Sequence, residues 1–287
     1  MKIDGKALAD KILSDLSLEV VKLKKKGVTP TLAVIQVGDD PGSTAYIRQK
    51  QKAAERIGAK LILSRQPSPS GLGTRAISLG ARDKSYQQLQ ERIKQENHDP
   101  AIHGFIIQQP LPDALGDVAT LLNLINPKKD VDGFLPNSPY PVPVAAAVIT
   151  IFKVKPFDNW LCQKSIVVIG RGETAGKPIA DALIKRGCTV SIIHSQTKNP
   201  DAIIKSSDII ISCVGKPNIV RRDNIKEGAI LVSVGLWRDS QGKLHGDYEE
   251  DEIKDVASFY TPTPGGVGPV NVACLMTNLV QAASKLL

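Results

Sequence analysis

Short apolar runs of strand length alternate with longer helix-period segments along nearly the whole chain, and that alternation leaves few folds open. Thr31 to Val37, Lys60 to Leu63 and Gly104 to Gln108 read as strands in the first half. Ser165 to Ile169, Thr189 to His194, Asp208 to Val214 and Ala229 to Val234 repeat the theme in the second. Most of these runs are continuously apolar, which predicts strands covered on both faces. Helices are expected at 6–26, from Ser43 as N-cap to about Ile57, and over Tyr86–Gln95, Leu115–Ile125, Val144–Val154, Lys177–Arg186 and Val270–Leu286. The class is therefore α/β with parallel strands and helical crossovers.

Two stretches break the rhythm. Residues 65–84 are rich in Pro, Ser, Gly and Arg and read as a mobile loop on a domain edge, a tolerated insertion. Asn126 to Pro143 is dense in proline (Pro127, Pro136, Pro139, Pro141, Pro143) and marks the domain boundary.

A length of 287 residues accommodates one large or two medium domains. Hydrophobic residues at 42% and charged ones at 23% exclude a disordered or fibrous chain. No apolar run approaches the ~20 residues of a membrane span, and the polar start Met1-Lys2-Ile3-Asp4-Gly5-Lys6, with no apolar block after it, leads us to expect no signal peptide. Cys162, Cys188, Cys213 and Cys274 lack metal or redox spacing, so they are expected to be reduced and buried in a cytoplasmic protein. The four histidines, His98, His103, His194 and His245, form no ligand motif, so no metal is expected. The net charge of +8 raises the question of a polyanion. The basic residues are spread over the chain, however, and aromatics make only 4%, so no stacking platform for nucleic acid is visible. A small anionic ligand, such as a phosphorylated cofactor, accounts for the excess as well.

The strand Ser165–Ile169 runs into Gly170-Arg171-Gly172-Glu173-Thr174-Ala175-Gly176 and then a helix. Strand, glycine turn and helix N-terminus form the context of a dinucleotide site, where backbone N–H groups approach a pyrophosphate. The spacing G-x-G-x-x-x-G is one residue longer than usual, and a tight turn with no ligand gives the same pattern. The next strand ends His194-Ser195-Gln196-Thr197-Lys198, without the acid that bonds a ribose 2′-hydroxyl in NAD sites. The Ser195 hydroxyl and the Arg171 guanidinium suit a 2′-phosphate, so NADP is expected over NAD.

Tyr46 and Lys50 lie four apart on one helix face, where each perturbs the other and partial burial lowers the lysine toward neutrality. Such pairs are also common on solvated faces. Gln108-Gln109-Pro110-Leu111-Pro112 ends a strand, Lys129-Asp130-Val131-Asp132-Gly133-Phe134 follows a helix, and Tyr260-Thr-Pro-Thr-Pro-Gly-Gly-Val-Gly-Pro269 opens the last helix. Each alone is a turn.

In order, these segments resemble the bifunctional methylenetetrahydrofolate dehydrogenase/methenyltetrahydrofolate cyclohydrolase family. The resemblance rests on Val37-Gly-Asp-Asp-Pro-Gly-Ser43 with Tyr46 and Lys50, the Gln108–Pro112 and Lys129–Gly133 segments, Gly170-Arg171 with Gly176-Lys-Pro178, His194-Ser195-Gln-Thr197, Gly215-Lys-Pro217, and Pro262–Pro269. It covers nearly everything except about residues 65–84. It implies an N-terminal three-layer α/β catalytic domain (1–143, completed by the C-terminal helix 270–287) and a C-terminal Rossmann-like NADP-binding domain (144–269), with a cleft between them. The implied chemistry is NADP-dependent oxidation of 5,10-methylenetetrahydrofolate and hydrolysis of the methenyl product to 10-formyltetrahydrofolate, in one-carbon metabolism. By the same resemblance Lys50 moves protons, Tyr46 stacks near the pterin and orients Lys50, and Gln108 tunes its charge. Asp132 binds the pterin, Pro264, Gly265 and Gly266 contact substrate, and Gly170, Arg171, Gly172, Gly176, Ser195 and Gly215 hold NADP. The implied partners are tetrahydrofolate derivatives in polyglutamylated form and a second copy of the chain, with neither nucleic acid nor membrane.

The chain also departs from the family pattern. Pro141-Val-Pro-Val-Ala-Ala146 replaces the usual Pro-Cys-Thr-Pro-x-Gly, Gly172 replaces a serine, and Ser233-Val-Gly-Leu-Trp237 replaces Asp-Val-Gly-Ile-Asn. These changes fall on the cofactor side. They motivate an alternative, a cyclohydrolase-biased sibling with a weak or NAD-using dehydrogenase. A non-enzymatic polyanion- or RNA-binding protein on the same fold is the alternative from another class.

Overall fold

The computed structural model describes residues 1–68, 79–112, 115, 118–154 and 160–285, with side chains described from residue 84 onward in the helix that begins at 79. The elements run α1 (Gly5–Lys25), β1 (Thr31–Val37), α2 (Pro41–Ile57), β2 (Lys60–Gln66), α3 (Leu79–His98), β3 (Gly104–Ile107), α4 (Val118–Leu122) and α5 (Pro143–Phe152). They continue with β4 (Ile166–Ile169), α6 (Gly176–Lys185), β5 (Val190–Ile193), α7 (Pro200–Ser206), β6 (Ile209–Ser212) and β7 (Ile230–Ser233). The last are β8 (Trp237–Arg238), β9 (Leu244–His245), α8 (Glu250–Ile253), β10 (Phe259–Tyr260) and α9 (Val267–Lys285).

The chain divides into two compact units. One comprises Ile12–Val142 with Leu275–Leu287, the other Met1–Lys11 with Pro143–Cys274. The first is built on a parallel sheet ordered β2-β1-β3. Every residue of the central β1 is buried, because a parallel strand with crossovers is covered on both faces. Ala33, Ile35 and Val37 on one face pack with Leu89 and Ile93 of α3, Phe105 and Ile107 of β3, and Leu121 of α4. The last part of α9 completes this unit: Asn278 Nδ2 donates to the carbonyls of Val131 at 2.8 Å and Pro141 at 2.9 Å.

The second unit holds a five-stranded parallel sheet ordered β10-β7-β6-β4-β5, with a small antiparallel hairpin, β8-β9. The chain leaves β4 toward β5 on one side and returns to β6 on the other. That reversal makes the carboxyl ends of β4 and β6 the topological switch point, where open α/β sheets bind ligands. The N-terminal residues edge this sheet: the N–H of Ile3 donates to Tyr260 O and the N–H of Tyr260 to Met1 O, both at 3.0 Å.

Three expectations need correction. Helix α2 is capped by Asp40, whose carboxylate accepts the Ser43 N–H at 2.6 Å, so Ser43 lies inside the helix. Pro41 at its first turn needs no N–H partner, and the cap moves back by three residues. The supposed loop 65–84 is partly structured, since Arg65 and Gln66 belong to β2 and α3 begins at Leu79; residues 69–78 lie outside the described ones. Finally, the cysteines are not all reduced and buried. Cys162, which is exposed, and Cys188 are joined in a disulfide, while Cys213 and Cys274 are free.

Candidate active site

Helix α2 carries Tyr46 and Lys50 one turn apart. Its Gly58 C-cap, left-handed at φ 78°, ends the helix before β2. Lys50 is only 3% exposed, an unusual place for a lysine unless something receives its head group. Gln108, directly after β3, does so: Lys50 Nζ donates to Gln108 Oε1 at 3.0 Å. The glutamine cannot turn away, because its Nε2 donates to the Gln109 carbonyl at 2.7 Å. Ser43 Oγ donates to the same carbonyl at 3.2 Å, tying the start of α2 to this loop. Lys50 Nζ also lies over the Tyr46 ring, 5.1 Å from its centroid.

Asp132 supplies the nearby charge. Its loop is anchored on both sides. Lys129 Nζ donates to the carbonyls of Glu96 at 2.8 Å and Asp99 at 2.6 Å. The buried Asp130 carboxylate accepts from the N–H groups of Gly133 at 3.1 Å and Leu135 at 2.9 Å. Gly133 is required, since a Cβ there would lie 2.6 Å from Tyr140 O. Burial lowers the Lys50 pKa below the ordinary lysine value, and the Asp132 charge opposes that fall only in part. Burial likewise raises Asp132, with Lys50 holding it down in the opposite sense. A lysine facing a neutral amide in a dry site exchanges protons more readily near neutrality than a solvated one.

In the second unit the turn after β4 contains the close approach its glycines predict. A Cβ on Gly176 would sit 2.1 Å from Gly170 O, so strand and α6 meet only without side chains there. The β4–β5 register pairs Ile169 with Ile193. Arg171 and Ser195 therefore each follow the same rung by two residues, and both are exposed, as is Gly172. No carboxylate occupies 194–198. Glycines that admit a pyrophosphate, beside a guanidinium and a hydroxyl, fit a 2′-phosphorylated dinucleotide. Gly215 lies in the loop after β6, packed against the Leu236 carbonyl. Pro264, Gly265 and Gly266 belong to this unit too, in the turn before α9, where Gly266 packs on the Pro262 carbonyl.

The structure thus brings Lys50, Tyr46, Gln108 and Asp132 together in one unit and places the glycine turn, Arg171, Ser195 and Gly215 along the strand ends of the other. Sequence reasoning missed Asp40 and Asp130, which position these loops. It also missed the buried Asp247. Each is one acid among many in the sequence, and only burial distinguishes the last two.

Comparison with known proteins places the chain in a family. Residues 3–132 match the model of the tetrahydrofolate dehydrogenase/cyclohydrolase catalytic domain, and residues 143–287 that of its NAD(P)-binding domain. The chain is 39% identical over 295 residues to the bifunctional protein FolD of Halalkalibacterium halodurans, covering 99% of this chain and 98% of that one. It is 40% identical over 292 residues to that of Lactococcus lactis, covering 99% and 97%. Among solved structures it is similar to the FolD dehydrogenase/cyclohydrolase of Campylobacter jejuni, with TM-score 0.90, 35% identity and coverage of 100% and 99%. It is also similar to the Trypanosoma brucei enzyme complexed with NADP cofactor and inhibitor, with TM-score 0.88, 32% identity and coverage of 99% and 97%. The chain belongs to the tetrahydrofolate dehydrogenase/cyclohydrolase family.

Proposed function

We propose that this protein oxidises 5,10-methylenetetrahydrofolate with NADP and hydrolyses the methenyl product to 10-formyltetrahydrofolate. The observation that carries the reading is the buried Lys50–Gln108 pair beside Asp132, on a chain whose family combines the two activities. NADP, when bound, accepts the hydride that leaves the folate methylene carbon. The chain's own part in that step is orientation. The glycine turn at Gly170–Gly176 admits the pyrophosphate, with Gly172 exposed beside it. Arg171 and Ser195 take the 2′-phosphate, and Gly215 borders the same switch point.

In the hydrolysis, water attacks the methenyl carbon. Neutral Lys50 takes a proton from that water, then returns one to the ring nitrogen as its bond to carbon breaks. The second water proton is released, which leaves the formyl group on the other nitrogen. Gln108 serves this cycle because its amide accepts from either form of the lysine and adds no charge. Asp132 pairs with N–H donors of the pterin, Tyr46 stacks near it, and Pro264–Gly266 contact substrate. On this reading the folate domain is 1–143 with the helix 270–287, and the NADP domain is 144–269.

The indole of Trp237, where the family pattern has a smaller residue, is engaged locally. Its Nε1 donates to Gly246 O at 2.7 Å, and it stacks on His245 with centroids 4.6 Å apart. The substitution is thus accommodated inside the β8–β9 hairpin, which supports a working NADP-dependent dehydrogenase over a cyclohydrolase-biased sibling with a weak or NAD-using one. The family resemblance further supports a homodimer, a cytoplasmic location and polyglutamylated folates. None of the described helices is long and apolar enough to cross a membrane.

The test is an assay of purified protein with methylenetetrahydrofolate, run with NADP and separately with NAD, following reduced cofactor and methenyl product together. Reduced NADP with little methenyl accumulation is the expected result. No reduced cofactor with either dinucleotide refutes the dehydrogenase half.

A further inference from the structure

Asp247 is completely buried, and its carboxylate is held by hydrogen-bond donors rather than by a cation. Ser212 Oγ donates to Oδ2 at 2.6 Å, the N–H of Val214 to Oδ2 at 3.0 Å and the N–H of Lys216 to Oδ1 at 3.0 Å. The backbone of the same residue makes two further ties. Its N–H donates to Ser233 Oγ at 3.0 Å, and its carbonyl accepts from Val220 N–H at 3.1 Å. One residue therefore fastens the carboxyl end of β6, the loop that follows it and the carboxyl end of β7. Gly235 leaves room for this carboxylate, since a Cβ there would lie 2.3 Å from Oδ2.

The loop so fastened is one wall of the switch point. The other wall is the glycine turn after β4, and the two touch: a Cβ on Gly170 would stand 3.1 Å from Cys213 O. Hydrogen bonds to an ionised acceptor are about twice as strong as neutral ones, so the carboxylate fixes the loop more firmly than a turn's own bonds would. It also sets what the loop offers. The N–H groups of 214 and 216 already point at an anion, so this wall is not a phosphate nest.

We propose that Asp247 is a positioning residue for the cofactor, holding residues 213–216 in the conformation that receives the dinucleotide. The proposal rests on the reading of Gly215 as a cofactor contact. The test uses the full-length protein with Asp247→Asn, Ser212→Ala and Gly215→Ala. NADP affinity is measured by isothermal titration calorimetry, and both half-reactions are assayed separately. Asp247→Asn replaces one acceptor oxygen with an amino group facing a donor. It is expected to raise the NADP Kd and the KM for NADP at least tenfold, while methenyl hydrolysis without NADP changes less than twofold. Ser212→Ala removes one donor only and is expected to raise the Kd about threefold. If Gly215→Ala weakens NADP while folded Asp247→Asn does not, the positioning role is overturned and the cofactor reading stands. If none of the three moves the Kd, both fall together. Should Asp247→Asn fail to fold, Ser212→Ala decides. An unchanged Kd, or an equal loss of both half-reactions, then makes the network merely structural.

Discussion

Lys50 Nζ donates to Gln108 Oε1 at 3.0 Å in a site where burial has already lowered the lysine's pKa. The acceptor is neutral, so it holds the amine without fixing its charge. Gln108→Glu would place a carboxylate at the same distance and favour the ammonium. The pH profile of methenyl hydrolysis should then rise at higher pH than in the wild type. Asp132→Asn removes the charge that now holds Lys50 up, and its profile should rise at lower pH. Profiles that shift the same way in both variants would contradict the assignment of the ionisation to Lys50.

Lys50→Met should abolish methenyl hydrolysis and damage the hydride-transfer half-reaction less, because only hydrolysis asks the side chain to move protons. Equal and complete loss of both would assign Lys50 to binding or to the fold. The same variant carries a stability signature. A lysine with a lowered pKa binds fewer protons folded than unfolded, so folding gains from rising pH between the folded value and the unfolded one near ~10.4. Measured by urea midpoints across that window, wild-type stability should rise with pH relative to Lys50→Met.

Asp132→Ala should raise the folate KM by about tenfold or more, since losing one partner of a buried charged pair leaves the other unsatisfied, at a cost of roughly 1.5–3 kcal/mol. Steady-state kinetics at fixed NADP settle the point, and an unchanged KM removes Asp132 from the site.

Arg171→Ala should weaken NADP far more than NAD, because the guanidinium in this reading meets only the 2′-phosphate. Titrating both dinucleotides against both proteins gives the comparison. Parallel losses would show that Arg171 contacts a part the two cofactors share.

Gly176→Ala inserts a methyl 2.1 Å from Gly170 O, where backbone rather than a flexible side chain must yield. NADP binding should be lost and stability reduced by about 1–3 kcal/mol. Calorimetric titration and thermal unfolding check both.

Much of this arrangement was legible in the sequence, for identifiable reasons. Buried parallel strands advertise themselves as apolar runs, so β1, β3, β4, β6 and β7 were all anticipated to within about two residues. No residue of edge strand β2 is buried, so its apolar signal ends at Leu63, three residues before the strand does. The ten-residue window at Tyr86–Gln95 caught only the middle of α3, whose ends are polar and lack apolar period. Helix α7 and the β8–β9 hairpin were missed because four to seven residues carry too little periodicity. Tyr46, Lys50 and the glycine turn were visible as spacings. The acids that hold loops in place were not. Asp130 and Asp247 differ from surface acids only in burial, and burial is a property of the folded chain. The Cys162–Cys188 bond escaped for a similar reason: 26 residues of separation say nothing about which thiols will meet.

The pairing of Met1 and Ile3 with Tyr260 bears on how the molecule comes off the ribosome. The opening residues belong to a sheet edge whose partner strand is made some 250 residues later, and the first-built unit waits for Asn278 to close over Val131 and Pro141. Each unit thus combines an early segment of the chain with a late one. Partly built sheets with open edges are prone to wrong partners, so this architecture leaves both units open to mispairing until these distant segments have been made.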